Sequence, residues 1–376
     1  MTRRRRPTTR QQRRLPFVIE NMDGLGQGIT QDGHSKCFIA KTLPGETGTA
    51  TVSKQRKGVS FAEVETLTSS AANRIAPACE HFANCAGCQF LHTDYASELR
   101  YKRAALSRLC RSLPVDPQTI EVLGAPDRLG YRNRIQLHYR HRYIGMVDGT
   151  SDRIVEVPHC KIIDPRLQPA VDALYTDKSW SKEHPGRGHC EIYAHDGAVH
   201  TRWNQRYAQG GFTQVNDAMN DILRSQLQRY ADRGPAATIL ELFAGQGNLS
   251  APLVADGTRQ RVLVDYSATA QAPSLPGYYN LDLFAADALT SFKRREPARA
   301  FELMIVDPPR KGFAALDQWV RTYRPAQLIY VSCNAATMVR DLKSLQSKHA
   351  ISDISLIDLF PATHHFETMV RVAFKQ

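Results

Sequence analysis

Apolar positions in the second half of the chain come in short solid runs, each followed by small or polar residues and often by a helical repeat. Strands buried on both faces produce such runs, and their alternation with amphipathic helices builds a parallel sheet. The runs predict strands at 237–243, 261–265, 301–306, 326–332, 354–360 and 369–375, with helices at 216–231, 249–256 and 335–347. From about residue 206 the chain therefore reads as a doubly wound α/β domain. Its last two runs, "ISLIDLF" and "MVRVAF", lie close together and predict an antiparallel edge hairpin.

The first part is patterned differently. Residues 15–70 show short alternating runs broken by Gly-rich and Pro-Gly turns, which suit a five-stranded barrel of the oligonucleotide-binding kind. Within it "SKQRKGVSFAEV" reads as a basic hairpin with an aromatic, either a grip for single strands or an ordinary lysine-bearing surface. Residues 71–205 are mixed. They hold a predicted helix at 93–113, placed to pack on the α/β domain, and the strand pair "RNRIQLHYRHRYIGMV". Alternation there would set Arg on one face with Tyr nearby, as in an RNA-facing sheet or a solvated edge strand.

Charge sharpens this outline. The formal net charge is +12, and residues 1–14 hold seven Arg and no acid, leaving +5 for the other 362 residues. The arm 1–14 is expected to be disordered when free and suited to a polyphosphate backbone, or else to be a solubilising tail. It lacks an apolar h-region, and no apolar stretch reaches membrane-spanning length, so the expectation is a cytoplasmic protein with no membrane partner. Such a chain needs no disulfides. Cys79, Cys85 and Cys88 fall within ten residues and argue for a metal or cluster site, whereas Cys37, Cys110 and Cys190 read as ordinary residues.

The candidate chemistry sits at strand ends. "ELFAGQGN" carries an apolar strand into Gly245 and Gly247, where backbone can approach a ligand, and "RVLVDYS" ends the next strand on Asp265, placed to bond ribose hydroxyls. No third glycine follows (position 250 is Ser), which favours an adenosyl cofactor over a dinucleotide. "VDPPRKG" makes a rigid loop of Asp307, Pro308 and Pro309, with Arg310 where amine methyltransferases carry an aromatic. "LIYVSCNAATMVRD" puts Cys333 between a strand and a helix start, as a small buried hydrophobe or as a nucleophile favoured by the helix dipole.

Taken in order, the barrel at 15–70, "CEHFANCAGCQ", "YRNRIQLHYR", "IVEVPHC", "FTQVN", "ELFAGQGN", "VDPPRKG", "YVSCN" and "DLFPATHHFETM" cover most of the chain. This series resembles the bacterial 23S rRNA uracil-carbon-5 methyltransferases, in their TRAM-domain, iron–sulfur branch. The resemblance implies a Rossmann-like class I methyltransferase domain at 206–376, a TRAM-like barrel at 15–70, and a central RNA-binding module at 71–205. It implies Cys333 as nucleophile and Glu367 as the base that removes the carbon-5 proton. Gln214, Phe243, Asn248, Asp265, Asp287 and Asp307 would line the S-adenosylmethionine site. Cys79, Cys85, Cys88 and Cys160 match four thiolate ligands. Their spacing suits a [4Fe–4S] cluster or a structural zinc, and the resemblance favours the cluster, without the C-x3-C-x2-C signature of radical chemistry. His81, His92, His364 and His365 read as surface or packing histidines.

Two departures stand out. The second-strand acid is Asp265 where relatives usually carry Glu, and "YSATAQAPSLPGYYN" replaces an Ala- and Asn-rich helix. The expected activity is methylation of a 23S rRNA uridine by a monomeric enzyme. The alternatives are a transfer RNA methyltransferase of the same chemistry and a non-catalytic RNA-binding or ribosome-assembly factor.

Overall fold

The structure is a computed structural model describing residues 13–56, 58–148, 153–205, 214–266, 275–296, 300–345 and 349–374. Residues 1–12 of the basic arm, 267–274 of the Pro-rich stretch, and 212–213 of "FTQVN" lie outside the described residues.

An eight-stranded sheet runs in the order Tyr278–Asn280, Gln260–Asp265, Thr238–Leu242, Leu303–Val306, Gln327–Ser332, Glu367–Phe374, His349–Ile357 and Glu121–Leu123. The first five strands are parallel, and Glu367–Phe374 is antiparallel to both of its neighbours. Successive side chains point to opposite faces, so each apolar run feeds two cores. Leu240, Leu242, Met304, Val306, Leu328 and Tyr330 pack with Phe292 and Trp319 on one face. Ile239, Leu303, Ile305, Ile329 and Val331 pack with Leu223, Leu227 and Tyr230 on the other.

Three expectations change. The final hairpin is not at the edge: Glu367–Phe374 is buried along most of its length and needs neighbours on both sides, and Glu121–Leu123 closes the sheet beyond it. The helix expected at 249–256 shrinks to a 3-10 turn at Pro252–Val254, because Pro252 contributes no N–H and Gly245 and Gly247 hold left-handed φ just before it. The strand expected at 354–360 starts at His349 and stops at Ile357, and the side chain of the next residue, Asp358, accepts from Lys102 and Tyr95.

The N-terminal sheet has six strands rather than five, from Arg14–Val18 to the two-residue Asn21–Met22, around Leu15, Phe17, Ile19, Cys37 and Ile39. Register shifts between Thr47–Arg56 and Val59–Ser69 bend it into an OB-like half-barrel. Phe61, the aromatic of the basic hairpin, stacks on Phe38 at 5.6 Å. A helix at Tyr95–Cys110, capped by Asp94, contributes Leu106 and Cys110 to the core of the eight-stranded sheet.

A third sheet of five strands includes Arg134–Arg140 paired with Arg187–His195. Here Arg134 and Tyr139 are turned inward, while Arg140 stays exposed. Arg134 is buried against Glu191 at 3.0 Å, and Tyr139 packs edge-on to Trp180 and Trp203. A guanidinium taken out of water needs such a charge-assisted partner, and Glu191 on the neighbouring strand supplies it. Among the described residues, no helix is long and apolar enough to cross a membrane.

Candidate active site

Strand order reverses beside Thr238–Leu242: the next two strands fall on one side of it, and Leu303–Val306 on the other. Ligands of doubly wound sheets bind at such a switch point, outside the carboxyl ends of the strands. Leu242 lies level with Val264 and Val306, and Val306 with Tyr330, so Phe243, Asp265, Asp307 and Cys333 all follow at one rim. The antiparallel final strand starts at that same rim, and Ser332 pairs with Thr368, which brings Glu367 beside Cys333. A cavity of about 1300 Å³ opens there, lined by all five of these residues.

Carboxyl groups crowd this rim. Glu367 is 6% exposed and its Oε2 has no hydrogen-bond partner among the described residues. Burial, then the charge of Asp307, holds its carboxyl well above the usual range, and Arg310 opposes them. Asp307 is pushed up to about 7 by burial, then by Glu241 and Asp265. Burial, followed by Glu367 and Asp307, pushes the Cys333 thiol up to about 12. This corrects the expectation of a dipole-stabilised thiolate. Asn334 caps the helix Ala335–Ser344 by accepting from Ala336 N–H at 3.2 Å, so that amide is already engaged, and burial with two carboxyls outweighs the dipole. Asn334 also donates to Arg310 O at 2.9 Å and ties the Pro-Pro-Arg loop to the helix start.

The expected cofactor residues divide. Gln214, Phe243, Asn248, Asp265 and Asp307 line the cavity. Asp287 does not; it precedes the helix Ala288–Arg295 and accepts from Ser291 Oγ at 2.8 Å, while Asp282 lines the cavity instead. Phe243 holds φ of 60°, a left-handed conformation that is strained for an aromatic residue, and packs edge-on to Phe313. Asp265 accepts from the Gly245 and Tyr266 N–H groups, which leaves lone pairs for further donors. At Gly247 an added Cβ would meet Leu263 and Arg261 at 2.9 Å, so the turn must stay bare.

Cys79, Cys85, Cys88 and Cys160 line another wall of the same cavity, all as free thiols. Phe82, Leu91, Tyr131 and Ile162 back this wall. The Cys88 thiol is raised by burial, then by Cys160, Cys85 and Cys79, so the four stand within electrostatic reach. Among the described residues, no three His, Cys, Asp or Glu side chains are arranged to hold a metal ion. What does fit is the donor chemistry: four soft thiols packed on an apolar bed.

Residues 292–374 match the tRNA (Uracil-5-)-methyltransferase family. The 23S rRNA (uracil(1939)-C(5))-methyltransferase RlmD of Shewanella frigidimarina (strain NCIMB 400) is 25% identical, aligning with 95% of each chain. The protein of the same name from Marinomonas posidonica is 28% identical over 98% of each. The chain is similar over nearly its whole length to the RNA uracil-carbon-5 methyltransferases. The Pyrococcus abyssi tRNA (uracil-54, C5)-methyltransferase, solved in complex with S-adenosyl-L-homocysteine, has the same fold. It superposes with a TM-score of 0.70 at 18% identity, covering 95% of this chain and 99% of that one. The eight-stranded sheet is thus a class I methyltransferase sheet with an OB-like half-barrel ahead of it.

Several cavity residues escaped the sequence reading. Glu241 sits inside an apolar strand and is pushed up to about 7 by burial; only its position one turn short of the Gly-x-Gly loop could have flagged it. Asn220 exchanges hydrogen bonds with Asn248, at 2.8 and 3.3 Å. His364 and His365 line the cavity beside Glu367, and His364 N–H donates to Gln89 Oε1 at 3.0 Å. Gln89 and Phe90 N–H both donate to Ala362 O, at 2.8 and 2.9 Å. The cysteine segment is thus bonded to the loop that delivers Glu367.

Proposed function

We propose that this protein transfers a methyl group from S-adenosylmethionine to carbon-5 of a uridine in 23S rRNA, with Cys333 as nucleophile and Glu367 as base. The carrying observation is the placement of Cys333 and Glu367 side by side at the switch-point rim, in a cavity large enough for a nucleotide and a cofactor together. Uracil carbon-5 is a weak nucleophile. Addition of the Cys333 sulfur to carbon-6 moves the ring electrons toward oxygen-4 and carbon-5, and the bound cofactor supplies an electrophilic methyl group. Cys333 must lose its proton, to solvent, before it adds, and burial with the charges of Glu367 and Asp307 raises the pH at which it does so. Glu367 then takes the carbon-5 proton, the carbon-5 to carbon-6 double bond reforms, and the sulfur leaves. A carboxyl held well above its usual range is a stronger base once ionised. The target base has to leave its stack to reach Cys333, which suits an unpaired loop nucleotide.

Gln214, Phe243, Asn248, Asp265 and Asp307 form the cofactor's side of the cavity in this reading. Cys79, Cys85, Cys88 and Cys160 hold a [4Fe–4S] cluster with a structural role. Anaerobic purification should yield brown protein with about four irons per chain. Stoichiometric zinc without iron would overturn that assignment. Two full-length relatives bear a 23S rRNA name, which places ribosomal RNA ahead of transfer RNA. Incubation with labelled cofactor and transcripts of 23S rRNA and tRNA, followed by nucleoside analysis, decides the substrate. 5-Methyluridine in the 23S transcript is expected; label confined to tRNA, or to neither, would reject the reading.

A further inference from the structure

The five-stranded sheet carries a second, smaller cavity of about 340 Å³. Two pairs of side chains from adjacent antiparallel strands line it. Arg140 stands directly opposite Arg187, and His138 directly opposite His189. Like charges in that relation destabilise a strand pair, yet both arginines are exposed and no Asp or Glu is among the described residues lining the cavity. A doubled guanidinium without an acid between its members is suited to an anion that lies across both. The planar forks match phosphate oxygens in a bidentate way that a lysine pair would not.

The floor beneath them is built. Asn204 donates to the Tyr139 hydroxyl at 2.8 Å and accepts from His189 N–H at 3.1 Å. Gly188 passes so close to this pair that a Cβ would meet Asn204 Oδ1 at 2.0 Å and the Tyr139 hydroxyl at 2.5 Å. The strand pair is therefore held close under the arginines. The position of the cavity matters as much as its charge. His138 lines both this cavity and the large one that holds Cys333. Where a nucleotide inserts its base into the large cavity, its chain continues past His138 toward the two arginines.

We propose that Arg140 and Arg187, with His138 and His189 beside them, form a phosphate subsite that grips the RNA backbone next to the nucleotide whose base enters the active site. The subsite rests on the reading of the protein as an RNA methyltransferase, and it assigns to the five-stranded sheet the work of holding the strand while the base is out of its stack. Backbone contacts of this kind fix register without reading sequence.

The test is filter binding of a full-length 23S rRNA transcript between about 50 and 200 mM salt. The Arg140→Ala/Arg187→Ala variant should bind about tenfold more weakly at the lower salt, and its log-affinity slope should flatten by about 1.4, the loss of two single-strand contacts. Binding of S-adenosylmethionine should be unchanged, which reports an intact fold. Should the double variant lose cofactor binding, the single variants Arg140→Gln and Arg187→Gln decide, each flattening the slope by about 0.7. The Arg140→Lys/Arg187→Lys variant should keep the slope and lose part of the affinity, because charge remains and the fork geometry does not. Wild-type protein that methylates the transcript, with folded variants that keep its affinity and slope, overturns the subsite and leaves the proposed function standing. Wild-type protein that neither binds nor methylates the transcript removes the function and the subsite together.

Discussion

The two walls of the large cavity are held by different means. On the strand-end wall, Phe243, Asp265, Asp307, Cys333 and Glu367 sit at strand ends whose neighbours are fixed by ladder hydrogen bonds, from Leu242 beside Val306 to Ser332 beside Thr368. That rigidity lets the wall keep buried Glu241 and Glu367 close to half-buried Asp307, each with its carboxyl pushed upward. On the thiol wall, Cys79, Cys85 and Cys88 sit in a segment with turns and no strand. It is held from outside. Lys41 donates to the carbonyls of Phe82, Ala83 and Cys85, and Gln89 and Phe90 reach across to Ala362. A wall without a ladder needs cross-links or a bound group to keep its shape, and a wall with one can store unfavourable electrostatics.

The largest effect expected lies on the strand-end wall. Cys333→Ala should abolish methylation, because carbon-5 stays unreactive without sulfur at carbon-6. Glu367→Gln should separate the steps: addition and methyl transfer proceed, but the carbon-5 proton has no acceptor, so RNA stays bonded to the protein through denaturing electrophoresis. The double variant should give no adduct. Normal turnover by Glu367→Gln, or an adduct persisting without Cys333, would show that the wall does not divide its labour in this way.

The joint between the walls comes next. Lys102 is 1% exposed and donates to Glu98 Oε1 and Asp358 Oδ1, both at 2.7 Å. Glu98 Oε1 also accepts from Ala362 N–H at 2.7 Å, the residue whose carbonyl receives the cysteine segment. Lys102→Met leaves the carboxylate of Asp358 without its cation and should cost about 3–5 kcal/mol in urea unfolding. Restoring neutrality with Asp358→Asn should recover much of that loss, because Glu98 keeps Arg128 at 2.7 Å. An unfolding midpoint unchanged by Lys102→Met would mean that the walls are joined elsewhere.

The same contrast explains what the sequence made legible. Strand ends announce themselves through apolar runs, so the Gly-x-Gly turn, Asp265, Asp307 and Cys333 could be placed before any coordinates. Glu367 came from a family motif, and its pairing with Cys333 depends on a strand inserted two places inside the expected edge. Nothing local marks such an insertion. Arg134 faced inward because Glu191 waits on a strand more than fifty positions away, a partner that alternation cannot reveal. The upward shift of Cys333 was hidden for a similar reason. A dipole can be read from a helix start, but the burial that outweighs it, and the two carboxyls that add to it, depend on other strands.

On the cofactor's side of the strand-end wall, Asp265→Ala should weaken S-adenosylmethionine binding by about 1.5–3 kcal/mol, the loss for a charge-assisted hydrogen bond. Calorimetry is the check. Its carboxylate already accepts two backbone N–H groups, so part of any loss reflects a loosened Gly245 turn. Asp265→Asn keeps an acceptor for that turn and should fall between the two. Unchanged affinity in both variants would remove Asp265 from the ribose.

The smallest effect probes the stored electrostatics directly. The turnover rate should rise with pH, because Cys333 and Glu367 must both lose protons and both are held in their neutral forms by burial and by the charge of Asp307. Asp307→Asn deletes that charge, so both groups ionise more readily and the rising limb should move to lower pH, by about one unit or some 1.4 kcal/mol. Stability must move in a linked sense. Asp307 goes from 3.8 unfolded to about 7 folded, so the native state binds more protons than the unfolded chain between those values. Its stabilising share is therefore complete below about 3.8 and lost as pH rises through about 7. Asp307→Asn should accordingly gain stability relative to wild type at pH 8 and not at pH 4. A limb that stays in place while stability shifts would separate Asp307 from the reacting pair and leave its charge as a property of the cofactor's side alone.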